Sequence, residues 1–279
     1  MSKSWNTLYL NQLRRDHFKQ LDEQFCLSGF ADWPNAGGLN ELKTLVLNGQ
    51  GNSQAGIPDF VCQDDLAETS AYYEQIIFQQ KIIPTRPQSW HDLFNALIWM
   101  QFPHCKALLN KLHIEDIEQF GLSPRTRRRN HLTHFDECGV VLACSDPHLL
   151  TLLAEHQWQR VFIEHRDKWG KDIHAHIFGH ANYEMLLNPF IGLTGKWLAV
   201  EVEPNFSQLN LSQKQAQLDQ LLCRKIRDES VFSQTKPLLP LPLLGIPGWW
   251  EDNNNAEFYA NTNYFRKKSL VSKAIIKAP

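Results

Sequence analysis

The stretch Ile83–Asn110, IPTRPQSWHDLFNALIWMQFPHCKALLN, decides how the rest of the chain is read. Pro84 and Pro87 disfavour helix upstream, and Ser89 is a good N-cap. Asp92, three residues later, completes a pair resembling a capping box and suits the positive end of the helix dipole. A helix is therefore expected from about Trp90. Trp90, Phe94, Leu97, Ile98 and Gln101 fall on one stripe, widened by Leu93, Met100 and Phe102, so most of the helix circumference should be buried. Pro103 stops or kinks it, and a second short helix is expected over 105–112. At the mouth of the first helix, His91 and Asn95 stand one turn apart on one face, a spacing that lets them hold one ligand between them. Asp92 is read as a cap in preference to a catalytic group.

Composition narrows the class. In a chain of 279 residues, 43% apolar and 21% charged residues are the proportions of an ordinary globular protein with a sizeable core. The formal net charge of -2 provides no global attraction to nucleic acid or an anionic membrane, so such a contact would need a local patch. Cys26, Cys62, Cys105, Cys138, Cys144 and Cys223 show neither a C-x-x-C pair nor a zinc-ligand spacing, and read as reduced thiols of a cytosolic protein. The opening MSKSWNTLYLNQLRRDHF lacks the apolar core of a signal peptide, and no later run approaches a membrane span. A cytoplasmic location is expected. Composition does not fix an oligomeric state.

Read in order, residues 1–58 form a loosely organised extension packing on the core, with a helix around Leu8–Phe25 and a flexible loop over Asn48–Pro58. The main domain is expected over 59–265, followed by a basic tail over 266–279. It starts with an extended piece at Phe60–Cys62 and a helix over Ala67–Gln80. The run Arg125, Arg127, Arg128, Arg129 suits phosphate or a nucleic acid backbone but is read first as a solvated loop. In HLTHFDECGVVLACS, starting at His131, two apolar runs flank Asp136, Glu137 and Gly139. That pattern predicts a hairpin whose loop uses both acids and a glycine at positive φ. Asp146 and Pro147 start a helix over 149–158. Strands are expected over 160–164, 173–178 and 196–202, and helices over 180–187 and 213–227. The four prolines of Lys236–Trp250 exclude helix and an internal strand, so this segment should lie extended across the core with its leucines as pegs. The fold class that follows is α+β, a single domain with a mixed sheet of about five strands, packed helices and an extended proline-rich C-terminal segment.

Two nucleotide motifs fail. Gly192–Lys196 resembles the end of a phosphate-binding loop, but Phe190 stands where its first glycine belongs, and no G-x-G-x-x-G occurs. His174, His176, His180 and Glu184 could meet at a strand-to-helix corner, yet imidazole spacing without cysteine specifies a metal poorly. With no H-E-x-x-H helix present, no tightly bound metal and no other cofactor are expected. Glu184, one turn after His180, is placed to accept a hydrogen bond from that ring.

The runs SWHDLFNALIWMQFPHCKALLN, HFDECGVVLA, FGHANYEMLLNPFIGLT and LPLLGIPGWW together resemble a bacterial family catalogued as domain of unknown function 3025. The resemblance brings no activity or cofactor. It implies emphasis on Trp90, His91, Asp92, Asn95, Asp136, Glu137, Gly139, His180, Glu184, Gly192, Thr194, Gly248 and Trp249, while His174 and His176 lie outside its pattern. Two functional expectations follow. The first is a cytosolic hydrolase of a small polar or anionic substrate, with His91 and His180 as acid and base, Glu184 orienting an imidazole, and Asn95, Thr194, Arg127 and Arg129 binding substrate. The second is a noncatalytic protein that contacts RNA or an acidic partner through Arg125–Arg129.

Overall fold

The computed structural model describes residues 5–49, 56–67 and 71–268. The centre of the expected Asn48–Pro58 loop, the start of the expected Ala67–Gln80 helix and the tail from residue 269 lie outside the described residues. The fold is α+β, as its sequence patterning predicts. Strands β3 (Gly139–Cys144), β4 (Ile173–Ile177), β5 (Thr194–Glu201) and β6 (Leu239–Pro242) form one sheet in the order β4-β3-β5-β6. β3 runs antiparallel to β4 and parallel to β5, and β6 closes the sheet antiparallel to β5. A separate parallel pair joins β1 (Asp59–Cys62) to β2 (Ile82–Thr85).

All six residues of β3 are buried, as befits a strand covered on both faces. The prolines of LPLP are accommodated because β6 is the edge, where a missing N–H costs no ladder bond. Helices α1 (Trp5–Leu10), α2 (Asp16–Phe25) and α3 (Ala36–Gly49) precede the sheet. Trp5, Tyr9, Phe18, Leu21, Phe25 and Leu39 share one apolar cluster with the strands, so the opening segment is more ordered than its composition suggests. Among the described residues, no helix is long and apolar enough to cross a membrane.

Helix α5 (Trp90–Gln101) starts where expected, with Ser89 Oγ accepting from the Asp92 N–H at 3.2 Å. Pro103 does not end the helical course. It occupies the first position of α6 (Pro103–Phe120), which is longer than the short helix expected there. The N-terminus of α6 is capped from outside: Asp219 on α10 (Leu211–Asp228) accepts from the His104 and Cys105 N–H groups at 3.0 and 2.8 Å.

Two expected strands are absent. RVFIE at 160–164 is a π turn that buries Val161 and Phe162, with Phe162 stacked between Trp158 and Trp169. The sheet therefore has four strands. The expected hairpin is also replaced, because residues 127–138 form helix α7 (Arg127–Cys138) leading directly into β3. Thr126 caps it by accepting from the Arg129 N–H at 3.1 Å, and Arg129, Leu132 and Phe135 recur every three residues as one buried face. Gly139 has φ -66 instead of a positive value; its role is close packing, since a Cβ there would lie 2.3 Å from the Phe135 carbonyl oxygen.

This arrangement fixes the site. α7 enters β3 at the point where β4 leaves toward α9 (His180–Leu187), with Val140 paired to Ile177. The Gly179 N–H donates to the Gly139 carbonyl at 2.8 Å, so the residues just before β3 and just after β4 are neighbours. A Cβ on Gly179 would lie 2.3 Å from the Gly139 nitrogen and 2.4 Å from the Glu137 oxygen, both main-chain atoms that cannot turn aside. Gly179→Ala is expected to lower the unfolding free energy by about 3 kcal/mol in urea denaturation. Gly29→Ala, which meets nothing within 4 Å, should change it by less than about 0.5 kcal/mol.

Candidate functional site

Packing of α5 against α9 brings two distant histidines together. Phe94 stacks on Tyr183 at 5.3 Å, and Phe18 of α2 packs against both rings. One turn from this contact, His91 Nε2 and His180 Nε2 lie 3.0 Å apart, their rings nearly perpendicular at 84°. Glu137, in the last turn of α7, brings a carboxylate oxygen to 3.3 Å from His180 Nε2. On the other side of His91, Glu184 accepts from Nδ1 at 3.0 Å. Glu184 thus orients the imidazole across the helix pair and not, as its spacing suggests, the one on its own helix.

Behind these groups runs a polar chain, buried at Lys106 and Asn95. Lys106 of α6 donates to Asp136 at 2.5 Å and to Asn95 at 2.9 Å, and Asn95 in turn donates to the Tyr73 hydroxyl at 3.0 Å. Both sides of the Asn95 amide are therefore engaged within the protein. His91, His180, Glu137, Asp136, Asn95 and Tyr73 line a cavity of about 340 Å³, together with Glu74, Arg86 and Arg125. Glu74, on α4 (Tyr73–Gln80), accepts from the Asn110 side chain at 2.6 Å. Arg125 donates to the Tyr72 hydroxyl at 2.7 Å on the rim. Asp92 caps nothing with its carboxylate; that group is clamped by Arg86 through the main-chain N–H at 2.7 Å and the guanidinium at 2.8 and 2.9 Å.

The environments push these groups apart. Burial, reinforced by the Asp136 charge, lifts the Glu74 carboxyl to about 7. Burial would also raise Asp136, but Lys106 and His180 outweigh it and hold that carboxyl below its ordinary value. Burial and the neighbouring Asp136 raise Glu137. His180 is pushed down to about 3 by burial, which prevails over the opposing pull of Asp136, so its ring is neutral at physiological pH.

The other expected site residues are elsewhere. Thr194 sits at the start of β5, opposite Pro242 of β6, with its hydroxyl donating to the Gly192 carbonyl at 2.8 Å. Of the arginines, Arg129 is buried and donates to the Gly121 and Leu122 carbonyls, Arg128 is paired with Asp116, and Arg127 is exposed on the first turn of α7. Only Arg125 of that run lines the cavity. His174 and His176 face Phe206, not His180, and do not join the site. The groups missed by sequence reasoning are Glu74, Lys106, Tyr73 and, as site members, Asp136 and Glu137. A signal for the last two exists: acids in the last turn of a helix oppose its dipole and need a cationic or functional partner. All six cysteines are free.

A comparison with protein-family models matches residues 58–269 to a family described as protein of unknown function (DUF3025). No curated protein and no solved structure matches the chain.

The buried imidazoles set a pH dependence. His17, His176 and His180 are lowered by burial from 6.5 to about 3, and His113 to about 4. The unfolded chain therefore binds more protons below about pH 6.5, and this stability is lost as pH falls. Glu74, raised to about 7, acts oppositely, its contribution being lost as pH rises from about 4.5 to 7. Four histidines outweigh one carboxyl, so Tm should drop on the order of 5–10 °C between pH 7 and 5 in calorimetry. His17→Phe, in a pocket already lined by Phe18, Tyr183 and Trp249, should flatten that slope.

Proposed function

We propose that this chain, which belongs to the DUF3025 family, is a hydrolase acting on a small anionic substrate in the cavity between α5, α7 and α9. The observation that carries the reading is the convergence of His91, His180 and Glu137 in the wall of one cavity, with Glu184 fixing the His91 ring. A water held there meets proton acceptors, while Glu74, poised near neutrality by burial, supplies a proton to a leaving group. Arg125, on the rim, is the group that receives the anionic end of the substrate. Lys106 holds Asp136 and Asn95 in place; Asn95 shapes the wall instead of binding substrate. The location we favour is the bacterial cytosol, in keeping with six free thiols. The RNA alternative draws support only from Arg125 and Arg127, because Arg128 and Arg129 are engaged internally.

A panel of carboxylic, phosphate and amide substrates carrying one anionic group tests this reading. Activity should appear in the wild type and fall at least about 100-fold in His91→Ala. Arg125→Ala should raise KM about tenfold with little change in kcat, as expected for an interaction made equally in ground and transition states. In the wild type, kcat should decline above about pH 7 as Glu74 loses its proton, and Glu74→Gln should remove that limb. A full panel with no turnover, or turnover indifferent to His91→Ala, overturns it.

A further inference from the structure

Between two neutral imidazoles, the pairing of His91 with His180 leaves a polar atom unsatisfied. Glu184 is an acceptor, so it places the His91 proton on Nδ1 and leaves Nε2 as a bare lone pair directed at His180. If His180 donates from Nε2, its Nδ1 is a buried lone pair facing the Asp136 carbonyl, with no donor to it among the described residues. If the proton sits on Nδ1, two lone pairs face each other at 3.0 Å with the Glu137 carboxylate at 3.3 Å from one of them. Either tautomer leaves an uncompensated polar atom, which native interiors avoid. One cation at the point of convergence resolves both.

We propose that His91 Nε2, His180 Nε2 and the Glu137 carboxylate bind a single divalent transition-metal ion. The three donor atoms lie within 4.8 Å of one another. Donors held at about 2.1 Å from a tetrahedral ion sit roughly 3.4 Å apart, so the observed 3.0 and 3.3 Å need only a small outward adjustment. Two imidazoles favour a transition ion over magnesium or calcium, which prefer oxygen ligands. Glu184 on His91 Nδ1 is the carboxylate that fixes ring orientation and raises ligand basicity, an arrangement that accompanies histidine–metal bonds. Three protein ligands leave a position open toward the cavity, where a bound water would be acidified to about pH 7. The ion also changes the charge of the cavity. Along its lining Glu74, Asp92, Asp136 and Glu137 outnumber Arg86 and Arg125, so a divalent charge is what would make it attract an anion. The expectation of no tight metal rests on the absence of a cysteine pair and of an H-E-x-x-H helix, on the weak His174, His176, His180 and Glu184 group, and on a hairpin loop at Asp136 and Glu137; the ligand set here takes only His180 from that group and Glu137 from a helix. The role in activating water rests on the hydrolase reading above, whereas binding of the ion stands on the geometry alone.

The test uses the full chain purified without a metal-affinity column, dialysed against chelator and titrated with Zn²⁺ and, as a spectroscopic probe, Co²⁺. One equivalent should bind per chain at micromolar or lower concentration, with Co²⁺ giving the visible absorption of a four- or five-coordinate site. His91→Ala and Glu137→Gln, folded as judged by circular dichroism, should each weaken binding at least 100-fold. Glu184→Gln, which keeps all three ligands, should weaken it 10–100-fold. No binding to folded wild-type protein, or affinity unchanged in both His91→Ala and Glu137→Gln, overturns the proposal. Stoichiometric binding upholds it even if the substrate panel shows no hydrolysis, in which case the hydrolase reading alone falls. Hydrolysis that persists undiminished in metal-free protein removes the ion from the reaction and leaves the hydrolase reading standing.

Discussion

Where the chain entering β3 passes the chain leaving β4, the Gly139 carbonyl accepts from the N–H groups of Phe178 and Gly179 and from the Asn182 side chain. Three donors on one oxygen tie the end of α7, the start of α9 and the centre of the sheet to a single point. A side chain at 139 would meet Phe135 of α7, and one at 179 the main chain of 137–139, so two glycines are a condition of how α7 and α9 close on the sheet. From that point Glu137 projects on one side and His180 on the other. α5 then supplies His91 through the Phe94–Tyr183 layer, an apolar contact with no chemistry of its own.

The buried network behind the site has a different logic. Lys106 has a nearly inaccessible side chain, 5% exposed, and such an ammonium is tolerated only when paired and hydrogen-bonded. Asp136 and Asn95 meet that demand, and the same pairing keeps Asp136 ionised next to a Glu137 whose own carboxyl is pushed upward. Two adjacent carboxyls on one helix turn thus have different proton affinities because one faces an ammonium and the other does not. Removal of Lys106 would leave Asp136 half-buried without its cationic partner, so this residue serves stability and site electrostatics together.

Local signals in the chain were legible where caps and periodicity coincide. Ser89 and Asp92 mark the start of α5, and His91 and His180 stand out as polar residues at the mouths of apolar helices. α7 was obscured because LTHF reads equally as alternation or as a three-residue stripe, and Thr126 is hidden as a cap inside an arginine run. That one ambiguity converted Asp136 and Glu137 from site members into turn residues. Glu184 was assigned to the ring one turn away, since sequence spacing reports neighbours on one helix and is silent about a second helix packed alongside. Glu74 gives no sequence signal, because its elevated proton affinity arises from burial and from the charge of Asp136, a residue distant in sequence.

The separation of the two facing imidazoles is set by aromatic rings that touch neither. His91 is anchored to the first turn of α5 and His180 to the first turn of α9, and the distance between those helices is held by Phe18, Phe94 and Tyr183. Protein interiors are close-packed and barely compressible, so this layer acts as a gauge block whose thickness is read out at the other end of the helices. Residues that divergent chains of this architecture would have to keep in step are therefore not only the polar ones. A thinner ring at 94 calls for a compensating bulk at 18 or 183, and the polar site would register the mismatch before the fold did.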